Sequence, residues 1–155
     1  MDLREALENE TVADIGYKKP VVVQENEPLG AAIERMRQNK VGCLLVLNGG
    51  RFTGIFTERD LITRVLGKND ILDEPISEFM TSKPTLSHSD EPIHLVLARM
   101  HAKGIRHMPV LDAKDRPVGT ISVESVVHFL AEYHPTTVYN LPPDPGLFTS
   151  TRDGG

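Results

Sequence analysis

Gly54-Ile55-Phe56-Thr57-Glu58-Arg59-Asp60 is the stretch from which the fold of this chain is best predicted. The apolar pair Ile55 and Phe56 is typical of the end of a strand, and threonine is a residue type that often begins helices. Asp60 follows Thr57 by three positions, which is the spacing of a capping box. The stretch therefore predicts a strand that ends near Phe56 and a helix that begins after Thr57.

Two roles fit this helix start. In the first, Thr57 and Asp60 satisfy the free backbone N–H groups of the helix, and spacing alone favours this role. In the second, the free amides, the Thr57 hydroxyl and Arg59 face a phosphate-bearing ligand, while Asp60 accepts two hydrogen bonds from a ribose diol. The stretch alone leaves both roles open.

The chain contains a second, imperfect copy of this neighbourhood. A shift of about 64 residues aligns pairs of residues in the same order along both halves, and matches of this length rarely arise by chance. The aligned pairs are Lys19-Pro20 with Lys83-Pro84, Glu27-Pro28 with Glu91-Pro92, Arg35-Met36 with Arg99-Met100, and Gly54 with Gly119. We therefore predict an N-terminal lead-in at 1–11, a first unit at 12–67, a linker at 68–75, a second unit at 76–133 and a proline-rich tail at 134–155.

Each unit has the pattern β-α-β-β-α, which predicts a mixed α/β (α+β) fold with pseudo-two-fold symmetry. Residues 42–47 are almost all apolar, as in a strand buried on both faces. Asn48-Gly49-Gly50 predicts a tight turn, so this strand and the next form a hairpin. In the helix after Thr57, the spacing predicts a core-facing side and an end near Gly67. The residues expected on that side are Leu61, Ile62, Val65 and Leu66.

Composition excludes several classes of protein. The chain is 39% hydrophobic and 25% charged, as a globular protein should be, and its net charge of −5 argues against nucleic acid or an anionic membrane as partner. No apolar run approaches the roughly 20 residues that a membrane span needs. The single cysteine, Cys43, lies in an apolar run and suits a reducing compartment, so we expect a cytoplasmic protein.

The order of elements and motifs resembles a tandem pair of cystathionine-β-synthase (CBS) domains, also called a Bateman module. The resemblance covers roughly residues 10–132. Its most specific parts are the stretch quoted above, Gly104-Ile105-Arg106-His107-Met108-Pro109-Val110, and the two lead-ins Thr11-Val12-Ala13-Asp14-Ile15 and Pro75-Ile76-Ser77-Glu78-Phe79-Met80. Proteins of this family are typically sensors without catalytic activity, and their CBS pairs usually form homodimers through their helices.

The resemblance implies an adenosine-containing ligand in a cleft between the units: AMP, ADP or ATP, with S-adenosylmethionine or NADH as further possibilities. The family pattern of glycine, two apolar residues, threonine or serine, two variable residues and aspartate matches Gly54, Thr57 and Asp60. It implies that Asp60 holds the ribose hydroxyls and that Thr57 touches ribose or phosphate. In the second unit, Gly119 and Ser122 match the pattern, but Ser125 replaces the aspartate. We therefore expect a second cleft, with Ser122, Ser125 and Gly42, that binds weakly or not at all.

Arg106 and His107 occupy the positions that Gly42 and Cys43 hold in the first unit. They interrupt an otherwise apolar strand, and a buried guanidinium requires an anionic partner. We expect this partner to be a ligand phosphate, which adds both residues and Arg59 to the predicted site. The alternative is an internal salt bridge to Glu58 or Glu124.

Other functions lack a pattern in the sequence. The six histidines do not have the spacing of metal ligands, and no Ser-His-Asp or Cys-His arrangement is evident. We expect no enzyme activity, no metal and no required cofactor. The alternative to a nucleotide sensor is a ligand-free dimerisation module, and in either case the regulated partner would be a separate protein. The apolar residues of the tail suggest that it packs, either on its own chain or on a partner subunit.

Overall fold

The computed structural model describes residues 3–133, and the proline-rich segment predicted at 134–155 lies outside the described residues. Two short helices come first, α1 (Leu3–Glu8) and α2 (Val12–Ile15). The first repeat continues with β1 (Val22–Gln24), α3 (Leu29–Asn39), β2 (Cys43–Asn48), β3 (Arg51–Thr57), α4 (Glu58–Asp60) and a π-helical turn at Leu61–Val65. The second repeat contains a 3₁₀ turn at Ile76–Glu78, β4 (Thr81–Ser82), β5 (Ser87–His88), α5 (Ile93–Lys103), β6 (His107–Leu111), β7 (Pro117–Ser122) and α6 (Val123–Tyr133).

The first sheet has the strand order β1-β2-β3-β4. Strand β1 runs parallel to β2, as expected when a helix connects the two, and β2 and β3 form the predicted antiparallel hairpin. Residues Cys43, Leu44, Leu45 and Val46 of β2 are all buried, as predicted for a strand covered on both faces. Thr57 ends the hairpin opposite Cys43, so the helix start lies at the edge of the sheet.

The second sheet repeats this arrangement with the order β5-β6-β7. Strand β5 is parallel to β6, and β6 is antiparallel to β7. His107 lies opposite Ser122, just as Cys43 lies opposite Thr57 in the first sheet. The predicted α+β fold with two β-α-β-β-α units is therefore confirmed.

The lead-in to each repeat packs on the other repeat. Strand β4 lies just before the second unit's own sheet in sequence, yet it pairs with β3 of the first sheet. In the reverse direction, Lys18 and Thr120 exchange two backbone hydrogen bonds of 3.0 Å. Val12 is fully buried in the second core, and Ile76 is fully buried in the first. The two halves are therefore joined by crossed segments.

Two glycines allow these crossings. A Cβ on Gly54 would lie 2.7 Å from the backbone oxygen of Thr81, and a Cβ on Gly119 would lie 2.5 Å from that of Lys18. Contacts this short are essentially never made by real side chains, so only glycine admits the neighbouring segment. The glycine that opens the sequence pattern thus has a packing role in both repeats.

The helix after Thr57 differs from the prediction. Its α-helical part is only Glu58–Asp60, and the π-helical turn that follows is closed by a 3.0 Å bond from the Leu66 N–H to the Leu61 carbonyl. Val65 is buried, but the side chains of Ile62 and Leu66 are 64% and 65% exposed, so the prediction that they face the core was wrong. The i→i+5 bonding of a π turn changes the spacing on which that prediction relied.

Candidate functional site

Thr57 and Asp60 form a capping box. The Thr57 backbone is extended, and its hydroxyl oxygen accepts a hydrogen bond from the Asp60 N–H at 3.2 Å. The Asp60 carboxylate accepts one in return from the Thr57 N–H at 3.0 Å. The capping role that the spacing favours is therefore present, and it places both side chains in one defined geometry.

The Asp60 side chain has further partners. It is only 4% exposed, and its second carboxylate oxygen accepts a hydrogen bond of 2.9 Å from the Thr81 hydroxyl. The guanidinium of Arg64 lies 3.5 Å from the same oxygen. A buried carboxylate requires such partners because burial removes its water. Any ligand hydroxyl that binds Asp60 must share these oxygens or replace Thr81 and Arg64.

A first cavity of about 390 Å³ opens between the two repeats. It contains all five residues predicted for the nucleotide site: Thr57, Arg59, Asp60, Arg106 and His107. The other lining residues are Ile55, Glu58, Thr81, Pro84, Thr85, Lys103 and Ile105. None of these residues was predicted to bind the ligand, and only Glu58 was named at this site, as an alternative salt-bridge partner of Arg106. Thr81, Pro84 and Thr85 belong to the segment that crosses from the second repeat to the first. The one sequence signal for their position was that this segment matches the segment before β1 in the repeat alignment.

Arg59 connects the two repeats at this cavity. Its guanidinium donates a 2.8 Å hydrogen bond to the carbonyl of Gly104, which ends α5 in the left-handed conformation with φ of 63°. The side chain is exposed to solvent. The arginine predicted to face a phosphate thus lies at the cavity wall and is oriented by the opposite repeat.

The premise used for Arg106 was wrong. Strand β6 begins at His107, and Arg106 precedes it in a bend where its side chain is exposed. The burial cost that was used to argue for an anionic partner therefore does not apply. His107 is half-buried and is the first residue of the strand. Both residues line the first cavity, so their predicted position near the ligand cleft does not depend on the mistaken premise.

Gly42 lies close to residues of the first cavity. A Cβ at this position would be 3.2 Å from a carboxylate oxygen of Glu58 and 3.4 Å from Nε2 of His107. The carbonyl of Gly42 also accepts a 3.1 Å hydrogen bond from the Glu58 N–H. The predicted grouping of Gly42 with Ser122 and Ser125 does not match these contacts.

A second cavity of about 590 Å³ contains Ser122 and Ser125. The Ser125 hydroxyl accepts a 3.1 Å hydrogen bond from the Ser122 N–H and donates one of 2.7 Å to the Ser122 carbonyl. Ser125 thus takes the place in the second helix start that Asp60 takes in the first capping box, but without a charge. The other lining residues are Ile15, Gly16, Tyr17, Lys18, Glu124, His128, Phe129 and Glu132.

Cys43 is buried near the first cavity. Burial raises the pKa of its thiol to about 11, and the negative charge of Glu58 adds to this shift. A thiol in this state is a poor nucleophile because the thiolate is the reactive form. Within residues 3–133, no group of three or more His, Cys, Asp or Glu side chains is placed to hold a metal ion. Over the same residues, none of the helices has the length and apolar character needed to cross a membrane.

Comparison with known proteins identifies the same type of domain in both repeats. The family model described as CBS domain matches residues 12–67 and 76–132. An uncharacterized 17.7 kDa protein of Acidianus ambivalens is 27% identical over 124 residues, which cover 79% of this chain and 74% of that protein. The CBS domain-containing protein CBSCBSPB3 of Arabidopsis thaliana is 26% identical over 111 residues, which are 71% of this chain but only 20% of that protein.

Solved structures show the same fold. The CBS domain pair of protein MJ0100, in complex with 5′-methylthioadenosine and S-adenosyl-L-methionine, is 27% identical with a TM-score of 0.70 and matches 79% of this chain and 97% of that chain. The CBS domain protein PAE2072 from Pyrobaculum aerophilum, complexed with AMP, is 22% identical with a TM-score of 0.71 and matches 84% of this chain and 99% of that chain.

Proposed function

The chain belongs to the CBS-domain family as a tandem pair, and from this we propose that it is a non-catalytic regulatory module that binds an adenosine-containing nucleotide in the first cavity. The ligand class is AMP, ADP or ATP. Its binding would be read by a separate protein. The observation that carries the proposal is that Thr57, Arg59, Asp60, Arg106 and His107, taken from both repeats, line one cavity.

The charges at this cavity suit a phosphate. Arg59, Lys103 and Arg106 supply three cationic side chains, whereas Glu58 and Asp60 supply two carboxylates. The guanidinium of Arg64, 3.5 Å from Asp60, partly offsets the charge of this carboxylate. The cavity wall is therefore more positive than the chain as a whole. Phosphate oxygens favour arginine because its planar guanidinium donates several hydrogen bonds.

The Asp60 carboxylate suits a ribose. A diol that donates to it would form charge-assisted hydrogen bonds, each worth roughly 1.5–3 kcal/mol. Thr57 holds the carboxylate in place through the capping box, so the acceptor would be oriented before the ligand arrives. The two adenosine-containing ligands of the MJ0100 domain pair support the same ligand class.

The exposed apolar side chains support the proposed homodimer. Ile62 and Leu66 follow the capping box, and Val127 lies at the matching part of α6 with 47% of its surface exposed. Apolar groups on helices that flank both cavities provide a surface for a second copy of the chain. We propose that the dimer forms through these helices, as its family resemblance implies.

Calorimetric titration of AMP, ADP, ATP, NADH and S-adenosylmethionine tests the proposal. The first variant is Asp60→Asn, which keeps the size of the side chain but removes its charge, and we expect the affinity to fall by about tenfold to a hundredfold. The second variant is Arg106→Gln. Because this side chain is exposed, its loss should leave folding intact. The affinity for AMP should fall by about three- to tenfold, and the affinity for adenosine, which has no phosphate, should not change.

Ser125→Ala is the matched control because it removes a side chain from the equivalent cap in the second repeat. Its AMP affinity at the first cavity should equal that of the wild type. If the folded wild type binds none of the five ligands, the proposal is wrong, and the chain is then better described as a ligand-free dimerisation module.

A further inference from the structure

Arg59 makes a hydrogen bond from the first repeat to the second at the wall of the first cavity. Its guanidinium donates to the carbonyl of Gly104 at 2.8 Å, and the two residues are 45 positions apart in the chain. The Arg59 backbone is held in the helix start, because its carbonyl accepts a 2.8 Å hydrogen bond from the Thr63 hydroxyl. The Arg59 side chain is exposed, so it can turn while its backbone stays in place.

Gly104 lies in a turn that positions part of the cavity wall. It ends α5 in the left-handed conformation with φ of 63°. The last carbonyl groups of a helix lack partners within the helix and carry a partial negative charge, which the cation of Arg59 offsets here. Lys103, Arg106 and His107 lie on either side of Gly104 and line the same cavity. The Arg59–Gly104 bond therefore holds the turn that carries these three side chains.

The same turn is connected to the start of α6. The carbonyl of Arg106 accepts a 3.2 Å hydrogen bond from the N–H of Val123, which is the first residue of α6. His107 lies opposite Ser122 in the second sheet. A movement of the turn at Gly104 would therefore reach the start of α6 through backbone contacts.

The equivalent bond cannot form at the second cavity. The repeat alignment places Glu124 at the position of Arg59 and Lys40 at the position of Gly104. Lys40 ends α3 in the same left-handed conformation, with φ of 53°. An ionised carboxylate accepts hydrogen bonds and cannot donate one to a carbonyl. The bond is therefore specific to the first cavity and is not a general feature of the repeat.

A phosphate is a better partner for Arg59 than the carbonyl of Gly104. The carbonyl is neutral and accepts from one guanidinium nitrogen. A phosphate is an anion, and two of its oxygens can accept parallel hydrogen bonds from one guanidinium. Because the Arg59 side chain is exposed and lines the cavity, a phosphate in the cavity can compete for it directly.

We propose that a ligand phosphate in the first cavity displaces Gly104 as the acceptor of the Arg59 guanidinium. Binding of the phosphate then breaks the hydrogen bond between the repeats and releases the turn at the end of α5. The inference rests on the proposed function, because it assumes a phosphate-bearing nucleotide in this cavity. It adds that an adenosine ligand without phosphate binds and leaves the Arg59–Gly104 bond in place.

The sequence allows the Gly104 carbonyl to be observed selectively by NMR. In protein with carbon-13 at glycine carbonyls and nitrogen-15 in isoleucine, an HNCO spectrum contains signals from Gly-Ile pairs alone, which are Gly54-Ile55 and Gly104-Ile105. Ile105→Val removes the second signal and so assigns both. The carbonyl shift of Gly104 depends on the hydrogen bond that its oxygen accepts, so the free wild type and free Arg59→Gln should give different Gly104 signals.

The two proteins are then compared with each ligand bound, which corrects for any shift that the ligand itself causes. With AMP, the Gly104 signals of the wild type and Arg59→Gln should coincide, because neither protein retains the bond. With adenosine, they should still differ. Arg51→Gln, which removes an exposed arginine outside both cavity linings, is the matched control and should follow the wild type throughout.

Calorimetry adds a measurement that a purely structural role of Arg59 would not reproduce. Arg59→Gln should lower the affinity for AMP by about three- to tenfold and leave the affinity for adenosine unchanged. Equal losses for AMP and adenosine would show that Arg59 only supports the shape of the cavity, and the inference would be wrong.

The outcomes separate this inference from the proposed function, with inorganic pyrophosphate as a probe that lacks adenosine. If AMP binds and the two Gly104 signals still differ, the inference is wrong and the proposed function stands. The inference is also wrong if the free proteins give the same signal, or if adenosine makes the signals coincide. If AMP does not bind but pyrophosphate makes the signals coincide, the inference is supported and the proposed function fails. If neither compound has an effect, both are wrong.

Discussion

The carboxylate of Asp60 accepts a hydrogen bond of 2.9 Å from the hydroxyl of Thr81, and this bond joins the start of α4 to the lead-in of the second repeat. Thr81 is also paired with Ile55 in the first sheet, so its backbone position is fixed. The hydroxyl therefore partners a buried charge at the point where the two repeats cross. Loss of the Thr81 hydroxyl should affect both the stability of the crossing and the orientation of the Asp60 carboxylate.

Thr81→Val should lower the free energy of unfolding by about 1–2 kcal/mol, because the buried Asp60 loses a donor while the shape of the side chain is kept. Chemical denaturation of Thr81→Val, Asp60→Asn and the double variant measures the coupling between them. We expect a coupling energy of about 0.5–1.5 kcal/mol. Strictly additive losses would show that the 2.9 Å bond contributes nothing to stability.

The two helix caps provide a matched pair of substitutions. Thr57 and Ser122 accept equivalent bonds of 3.2 Å from the N–H groups of Asp60 and Ser125. Thr57→Ala and Ser122→Ala should each cost about 1 kcal/mol of stability, the usual value for a lost cap. Only Thr57→Ala should also lower the affinity for AMP in calorimetry, because Thr57 contacts Asp60 and Ser122 does not. Equal effects of the two variants on AMP would contradict the assignment of the nucleotide to the first cavity.

Gly54 and Gly119 should tolerate no larger residue. A Cβ on Gly54 would meet the Met80 sulfur and the Thr81 carbonyl at 2.7 Å, and one on Gly119 would meet the Tyr17 ring at 2.4 Å. A backbone carbonyl oxygen lies within 2.7 Å of the added Cβ at both sites, so the clash is relieved only if the crossing segments move. We expect Gly54→Ala and Gly119→Ala to lose about 2 kcal/mol or more in thermal unfolding, within the range of overpacked cores.

Thr120→Ala, beside Gly119 on β7, is the control for these glycine variants and should be close to neutral. If Gly54→Ala melts at the wild-type temperature, β4 is not held against β3 as the structure shows.

The repeated units were predictable from sequence because several local signals agreed. The apolar residues Leu44, Leu45 and Val46 indicated a buried strand, the turn that follows indicated a hairpin, and Thr57 marked the helix start. The same signals in the second half confirmed each assignment. The grouping of the site residues was predicted from the same signals. Thr57, Arg59 and Asp60 lie at or just after the end of β3, and Arg106 and His107 lie at the start of β6.

The features that escaped prediction depend on contacts between distant segments. Strand β4 has two residues, Thr81 and Ser82, which are too few to show a periodicity, and its partner strand is set by tertiary packing. The π turn at Leu61–Val65 invalidated the α-helical spacing used for Ile62 and Leu66. Arg106 was placed inside a strand that begins one residue later, an error typical of element boundaries.

The repeated Glu–Arg pair predicts how stability depends on pH. Glu27 binds Arg35 at 2.7 Å, and Glu91 binds Arg99 at 2.6 Å, in each case with two parallel hydrogen bonds. These guanidinium groups hold the pKa values of both glutamates below their ordinary value. In the folded protein the carboxylates therefore stay ionised to lower pH than in the unfolded chain.

The sign of the effect follows from proton binding. As the pH falls below the ordinary glutamate pKa, the unfolded chain binds protons before the folded chain does, so stability decreases. The stabilisation from each ion pair is fully present above the ordinary pKa of glutamate, and it is lost as the pH falls through the lowered pKa of the folded state. Glu27→Gln and Glu91→Gln should each show a weaker pH dependence of the melting temperature over this range, and the exposed Glu78→Gln should follow the wild type. Parallel melting curves for all four proteins would show that neither ion pair contributes to acid sensitivity.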